Sequence, residues 1–351
     1  MSVTRIHATN IIGTGAVQLF SSLFPELIRT GKVCQADVSP AVAKVAHEVC
    51  NRNLVVRDFR RILPKAISRV LECTVFARQF EGSGALLVLG DIPLYGIRRQ
   101  VLLVHSPYML GGQSKYRLSE LKYLVSRALF ALNARYVTAF IVQSEFMKSS
   151  LESCYSELRG RVHVIPQPPP EWLIESEIRR SHAVPSGGLA LFYPASGYPH
   201  KNHELLRRVQ IDPALLTVLE QIIVTVKPEE YPNLSSDLVR CVGPLNETEM
   251  LQHYRDVDAI LFLSKKETYG FPLLEGMWIG LPIICPDLPY ARSMCGKEAI
   301  YFNPDSPHSL KSAVLELHTR LSGGWWPDWS SRLRTFPKSW AECARDFLKL
   351  C

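Results

Sequence analysis

Long apolar runs are missing. Nowhere in the 351 residues do 18 apolar residues follow one another, so no membrane-spanning helix is expected. The N-terminus lacks a basic start followed by a long apolar core, and no signal peptide is expected. The nine cysteines include no Cys-x-x-Cys pair, which excludes a zinc site of ordinary spacing. Their odd number and scatter exclude a disulfide frame, so they read as reduced, partly buried thiols of a cytoplasmic protein. No Asp-x-Asp follows an apolar run; Asp256-Val-Asp258 precedes one, so paired carboxylates for a divalent metal are not expected. Basic residues are not interleaved with aromatic ones, which argues against a nucleic-acid partner. Disorder is excluded by composition, with 47% hydrophobic and 21% charged residues.

What remains is a chain too long for one ordinary core and long enough for two. Its net charge of +7 is uneven. Residues 1–165 hold 21 Lys and Arg against 11 Asp and Glu, and the rest holds 19 against 22. A basic first half suits an anionic partner such as a membrane surface or a lipid pyrophosphate.

Apolar runs of strand length alternate with helical patterns, which predicts an α/β protein with parallel, doubly wound sheets. Strands are expected at residues 4–12, 85–89, 100–104, 137–142 and 162–166, with one strand and one or two helices in residues 30–80. Gly13-Thr14-Gly15 precedes a helix over 16–29; it reads either as a tight turn or as a loop approached by a phosphate or acceptor. His105 follows a predicted strand, a place from which a side chain enters the ligand crevice of an open α/β sheet; a structural histidine is the alternative. Residues 116–136 repeat Leu118, Leu121, Leu124, Val125, Ala128, Leu129 and Leu132 at helical spacing, flanked by Lys115, Arg117, Lys122, Arg127 and Arg135. That helix either packs on its own sheet with a solvated basic face or lies on a membrane surface. Gln167-Pro-Pro-Pro170 reads as a stiff linker.

In the second half, strands are expected at 189–193, 221–225, 238–242, 259–263, 282–285 and 299–304, with a last helix over 339–349. The stretch Ser264-Lys-Lys-Glu-Thr-Tyr-Gly-Phe-Pro-Leu-Leu-Glu-Gly276 follows one of these strands. Gly270 makes a sharp turn cheap, and Pro272 suits the first helical position because its missing N–H costs nothing there. A strand, a turn and a helix N-terminus form an anion site, where free N–H groups and the positive dipole end point outward. Glu267 and Glu275 flank it, and their carboxylates suit hydroxyls of a sugar and a ribose.

Glu267-Thr-Tyr-Gly-Phe-Pro-Leu-Leu-Glu275 resembles the Glu, seven residues, Glu motif of retaining GT-B glycosyltransferases of family 4, with Glu267, Gly270, Pro272, Leu274 and Glu275 matching position by position. The resemblance implies two Rossmann-like domains facing a central cleft: an acceptor-side domain over 1–168, a nucleotide-sugar-binding domain over 187–330, and a helix in 331–351 crossing back to the first. It implies a donor such as GDP-mannose and a glycan or lipid-linked oligosaccharide acceptor, as in bacterial O-antigen or capsule assembly, with no metal or other cofactor. Glu267 would bind sugar hydroxyls, and Glu275 the ribose. Lys201 and the amides from Gly270 through Phe271, Leu273 and Leu274 would take the diphosphate, and His105 would line the acceptor side. Gly243 opens a loop that resembles the one holding the base. The Arg of the family's Arg, five positions, Lys pattern falls on Ser196, and His200, Lys265 or Lys266 would have to compensate. A sugar-nucleotide epimerase or phosphorylase of the same shape, or a binding module that has lost activity, are the competing readings.

Overall fold

The computed structural model describes residues 4–50, 52–61, 63–110, 117–181, 187–209 and 212–351; among these, the side chains of Lys65 and residues 117–122 are not described. Lys115 and Tyr116, and the side chains of Arg117, Leu118, Leu121 and Lys122, thus lie outside the described residues. The chain forms two compact units, one of residues 1–168 with 337–351 and one of residues 169–336.

The first unit holds seven parallel strands: β1 (Thr4–Ala8), β2 (Val33–Val38), β3 (Val55–Asp58), β4 (Leu86–Val88), β5 (Gln100–Leu103), β6 (Val137–Val142) and β7 (Val162–Val164). Their order is β3-β2-β1-β4-β5-β6-β7. The chain winds outward from β1 in one direction and returns at β4 to wind in the other, so the switch point lies between β1 and β4. Residues 30–80 carry two strands and two helices (Ala43–Glu48 and Lys65–Cys73), one strand more than expected. The sequence hides β2 because Gln35 and Asp37 interrupt its apolar pattern. Asp37 accepts from Arg5 Nε at 2.8 Å across the β1–β2 ladder, and both side chains are buried. An ion pair stands there in place of apolar alternation.

The first helix, Thr14–Arg29, begins two residues earlier than expected and buries Leu19, Phe20, Leu23, Phe24 and Leu27. The last helix, Trp340–Lys349, capped by Ser339, packs against it within the first unit. The helix expected at 116–136 is described over Arg117–Asn133 and continues as a 3-10 turn, Ala134–Tyr136. Its expected inner face is only partly inside: Leu129 is buried, whereas Leu124, Val125 and Leu132 are exposed.

The second unit holds β8 (Leu189–Tyr193), β9 (Leu219–Val224), β10 (Val239–Cys241), β11 (Ala259–Leu261), β12 (Ile283–Pro286) and β13 (Ile300–Phe302), all parallel. Their order is β10-β9-β8-β11-β12-β13, with the switch point between β8 and β11. Both strands at the switch are buried along their length, as a sheet covered on both faces requires. The unit also takes in helix Glu171–Glu175 and Arg180, whose N–H donates to the Ile279 carbonyl at 2.6 Å. Among the described residues, no helix is long and apolar enough to cross a membrane.

Candidate functional site

The two loops that leave β8 and β11 are joined by a set of directed bonds. The Tyr193 hydroxyl, at the end of β8, donates to the Lys201 carbonyl at 2.7 Å. After β11 the chain stays buried through Phe262, Leu263 and Ser264. Ser264 Oγ reaches the carbonyls of His200 and Lys266 at 3.3 Å each, and the Lys265 N–H donates to the His200 carbonyl at 2.7 Å. The buried Tyr290 hydroxyl donates to the Ser264 carbonyl. This sewing brings Lys201 Nζ to 2.5 Å from Glu267 Oε1, with side chains 15% and 14% exposed. The ammonium and the carboxylate therefore occupy one partly desolvated spot at the carboxyl ends of the switch-point strands.

Gly270 has φ +81°, the left-handed conformation that glycine adopts at little cost. The helix after it spans Phe271–Ile279, so Pro272 takes the second helical position and not the first, and Glu275 lies in the second turn. The row of free amides is shorter than expected. Leu273 and Leu274 turn their N–H groups to the Gly270 carbonyl (2.9 and 3.4 Å), and Pro272 has none. The N–H groups of Gly270 and Phe271 make no hydrogen bond among the described residues. The side chains of Leu273 and Leu274 are core, not site.

Glu275 does not flank an open pocket. It is buried, and the Tyr254 hydroxyl donates to its Oε2. Burial and the neighbouring carboxylate push the Tyr254 phenol well above its usual range, so it stays a donor at neutral pH. This bond ties the helix Phe271–Ile279 to the helix Glu247–Asp256. Gly276 lets the first of these lie flat on the sheet: a Cβ there would stand 2.8 Å from Ile260 Cγ1.

Gly243, at φ +76°, uses its N–H on the Val226 carbonyl at 3.0 Å, so that amide is not free for a ligand. The helix after it starts at Glu247, behind an Asn246–Glu249 capping box. Leu245, Asn246, Glu247, Thr248 and Glu249 line an open hollow.

Ser196, at the position of the expected Arg, is exposed, and its carbonyl accepts from His203 Nε2 at 3.2 Å. Of the groups expected to compensate, Lys265 is paired with Asp305 at 2.6 Å. His200 is held below its usual range by burial and by the charges of Lys201 and Lys266, which outweigh Glu267. The buried His203 is pushed down to about 4 by desolvation, which outweighs its bond to Ser196. A histidine with a depressed folded pKa contributes stability that is full above its ordinary 6.5 and is lost as pH falls from there toward 4. We expect acidification over that window to cost about 3 kcal/mol. His203→Gln should flatten that part of the pH profile of urea unfolding.

In the first unit, Thr14 and Gly15 belong to the helix, and Gly13 caps it at an ordinary φ of −88°. A Cβ at Gly13 or Gly15 would meet nothing within 4 Å, so neither packing nor turn geometry demands glycine there. His105 follows β5. Its N–H and that of Ser106 both donate to Asp91 Oδ1 at 2.8 Å, and its Nε2 lies 3.6 Å from Asp91 Oδ2. Asp91, just past β4, holds a left-handed φ of +55° to make these bonds. Sequence reading missed Asp91; Gly90-Asp91-Ile-Pro93 after an apolar run is the turn signal that points to it.

Residues 193–320 match the family model described as glycosyl transferases group 1. Among curated proteins, the serotype-specific mannosyltransferase WbdA of Escherichia coli is 28% identical over 90 residues, 26% of this chain and 11% of that protein. The chain thus matches about a tenth of the length of this first relative. The O-antigen chain mannosyltransferase RfbU of Salmonella typhimurium is 22% identical over 243 residues, 64% of this chain and 62% of that protein. Among solved structures, WaaG, a glycosyltransferase involved in lipopolysaccharide biosynthesis, superposes with a TM-score of 0.64 at 13% identity, over 99% of this chain and 95% of that one. Anabaena HepE in complex with UDP and glucose gives 0.62 at 11% identity, over 99% of each chain. The two parallel sheets of seven and six strands are those of the GT-B fold.

Proposed function

We propose that the protein transfers a sugar from a nucleotide-sugar donor to a hydroxyl of a glycan or lipid-linked oligosaccharide, with retention at the anomeric carbon. The observation that carries this reading is the Lys201–Glu267 pair at the β8/β11 switch point, in the loops that lead to a helix start where the Gly270 and Phe271 amides are free. A diphosphate entering there draws the Lys201 ammonium to itself and accepts from the Gly270 and Phe271 amides. Glu267, released from Lys201, then accepts from sugar hydroxyls and steadies the positive charge that develops as the glycosidic bond breaks. Glu275, held by the Tyr254 hydroxyl, is the carboxylate we assign to the ribose. His105, positioned by Asp91, serves the acceptor.

The donor we propose is GDP-mannose or a close analogue, and the setting bacterial surface-polysaccharide assembly. The O-antigen mannosyltransferases among the relatives favour both. Lysine and amides take the place of a cation, so transfer should survive EDTA; loss of activity restored by magnesium or manganese would overturn that point. The basic first half suits peripheral contact with the membrane that carries a lipid-linked acceptor. Ser196 in place of the family arginine favours a second reading, a nucleotide- or glycan-binding protein without turnover. A transfer assay over a panel of nucleotide sugars, with the product's anomeric configuration read by NMR, decides between the two. Turnover with retention supports the first reading, and binding without turnover supports the second.

A further inference from the structure

We propose that one side of the first unit, formed by helices Lys65–Cys73 and Arg117–Asn133 and the Tyr95 loop, is a docking surface for an anionic lipid bilayer. Helix Lys65–Cys73 is turned inside out. Its charged Arg69 and Glu72 are buried, while Ile67 and the flanking Leu63, Val75 and Phe76 stand in solvent. Within the helix Ile67 and Leu71 lie one turn apart on one face, and Leu63 and the Val75–Phe76 pair stand just beyond its two ends. Helix Arg117–Asn133 touches it and exposes Leu124, Val125 and Leu132. The Cys73 carbonyl joins the parts, accepting from Asn133 Nδ2 at 3.0 Å and from the Tyr95 N–H at 2.9 Å. Of the twelve exposed large apolar side chains among the described residues, eight fall on this side. Scattered apolar residues are ordinary on a surface, but a cluster of this kind marks an interaction site.

Charge decides the occupant. Arg78, Arg98, Arg99 and Arg135 are exposed along the same segments, with Arg135 over the Tyr136 ring at 4.9 Å and Tyr136 against Tyr95 at 5.2 Å. Between residues 59 and 80 the only carboxylate is the buried Glu72, and across residues 92–144 the sequence holds one, Glu120. Apolar side chains that enter the acyl boundary, tyrosines that suit the headgroup level and arginines that outnumber the carboxylates of these segments together fit an anionic interface. The surface deepens the membrane contact proposed above, but its geometry does not depend on sugar transfer.

The test is co-sedimentation of the full chain with vesicles of phosphatidylcholine containing phosphatidylglycerol, and with vesicles of phosphatidylcholine alone. Binding to the anionic vesicles is expected, weakening in high salt. Phe76→Asp together with Leu124→Asp should lower affinity by about tenfold or more, as should Arg98→Glu with Arg99→Glu. All four positions are exposed, so circular dichroism should be unchanged. Absence of binding by the unaltered protein, or variants that bind equally, would overturn the proposal. So would a dimer in solution that Phe76→Asp splits, since the face would then belong to a second copy. If vesicles bind but no nucleotide sugar is turned over, the catalytic reading fails and this one stands.

Discussion

Glu267→Gln is expected to lower sugar transfer by about three orders of magnitude while leaving nucleoside diphosphate binding intact or tighter. The two effects separate because Glu267 and Lys201 restrain one another in the free protein, at 2.5 Å and largely out of water. Glutamine keeps the shape but removes the negative charge, so Lys201 is left with an unshared positive charge for an incoming diphosphate. The sugar hydroxyls lose a charged acceptor, and the transition state loses the nearest compensating charge. Lys201→Ala should do the reverse to the diphosphate, weakening GDP or UDP binding by about tenfold or more, the scale of one charge-assisted bond. Titration calorimetry with the diphosphate and turnover with the full donor measure the two sides separately. Ordinary turnover in Glu267→Gln would remove that carboxylate from the mechanism, and unaltered diphosphate affinity in Lys201→Ala would remove the lysine.

Much of this was legible in the residues, and what was not has physical reasons. The switch-point strands β8 and β11 are unbroken apolar runs followed by glycine, proline and charge, a pattern that gives both position and polarity. The pairing of Lys201 with Glu267 was not legible, since a separation of 66 residues encodes no contact until the sheet order is known. The burial of Glu275 was not legible for a related reason. A glutamate on a helix reads as exposed, and its buried partner Tyr254 lies 21 residues earlier in the chain. The expected amide row was too long because a helix N-terminus spends part of its own free N–H set in its first turn. In residues 30–80, polar residues inside a strand and a helix with its charges inward both break the periodicity on which sequence reading depends.

That inward-facing charge has a large expected effect of its own. Glu72 lies beside the carboxyl end of β1, buried, and accepts from four partners: His7 Nε2 at 2.9 Å, Arg69 Nη1 at 2.6 Å, Arg61 Nη2 at 2.8 Å and the Thr9 hydroxyl. Arg69 spends its other arm on the Gly90 carbonyl at 2.9 Å, linking the ends of β1 and β4 across the first switch point. Removing the carboxylate leaves two arginines facing one another out of water. Glu72→Leu should therefore destabilise the first unit by about 3–5 kcal/mol, the cost of breaking a buried ionic cluster from one side. Glu72→Gln, which keeps acceptors but no charge, should cost less. Burial alone would raise the Glu72 pKa, but the His7 bond and the Arg69 charge outweigh it and hold the carboxyl far below the usual carboxylate range. A carboxyl depressed in this way contributes stability that is full above its ordinary 4.5 and is lost as pH falls below that value. His7, kept neutral chiefly by its own burial, adds a loss of the same sign beginning below 6.5. Guanidinium unfolding at pH 7, at 4.5 and below should then show the first unit weakening between 7 and 4.5 through His7 in both proteins, and a further loss below 4.5 in the wild type that Glu72→Leu lacks. Equal stability of Glu72→Leu and wild type at pH 7 would mean that the cluster is carried by its arginines' backbone partners and not by the carboxylate.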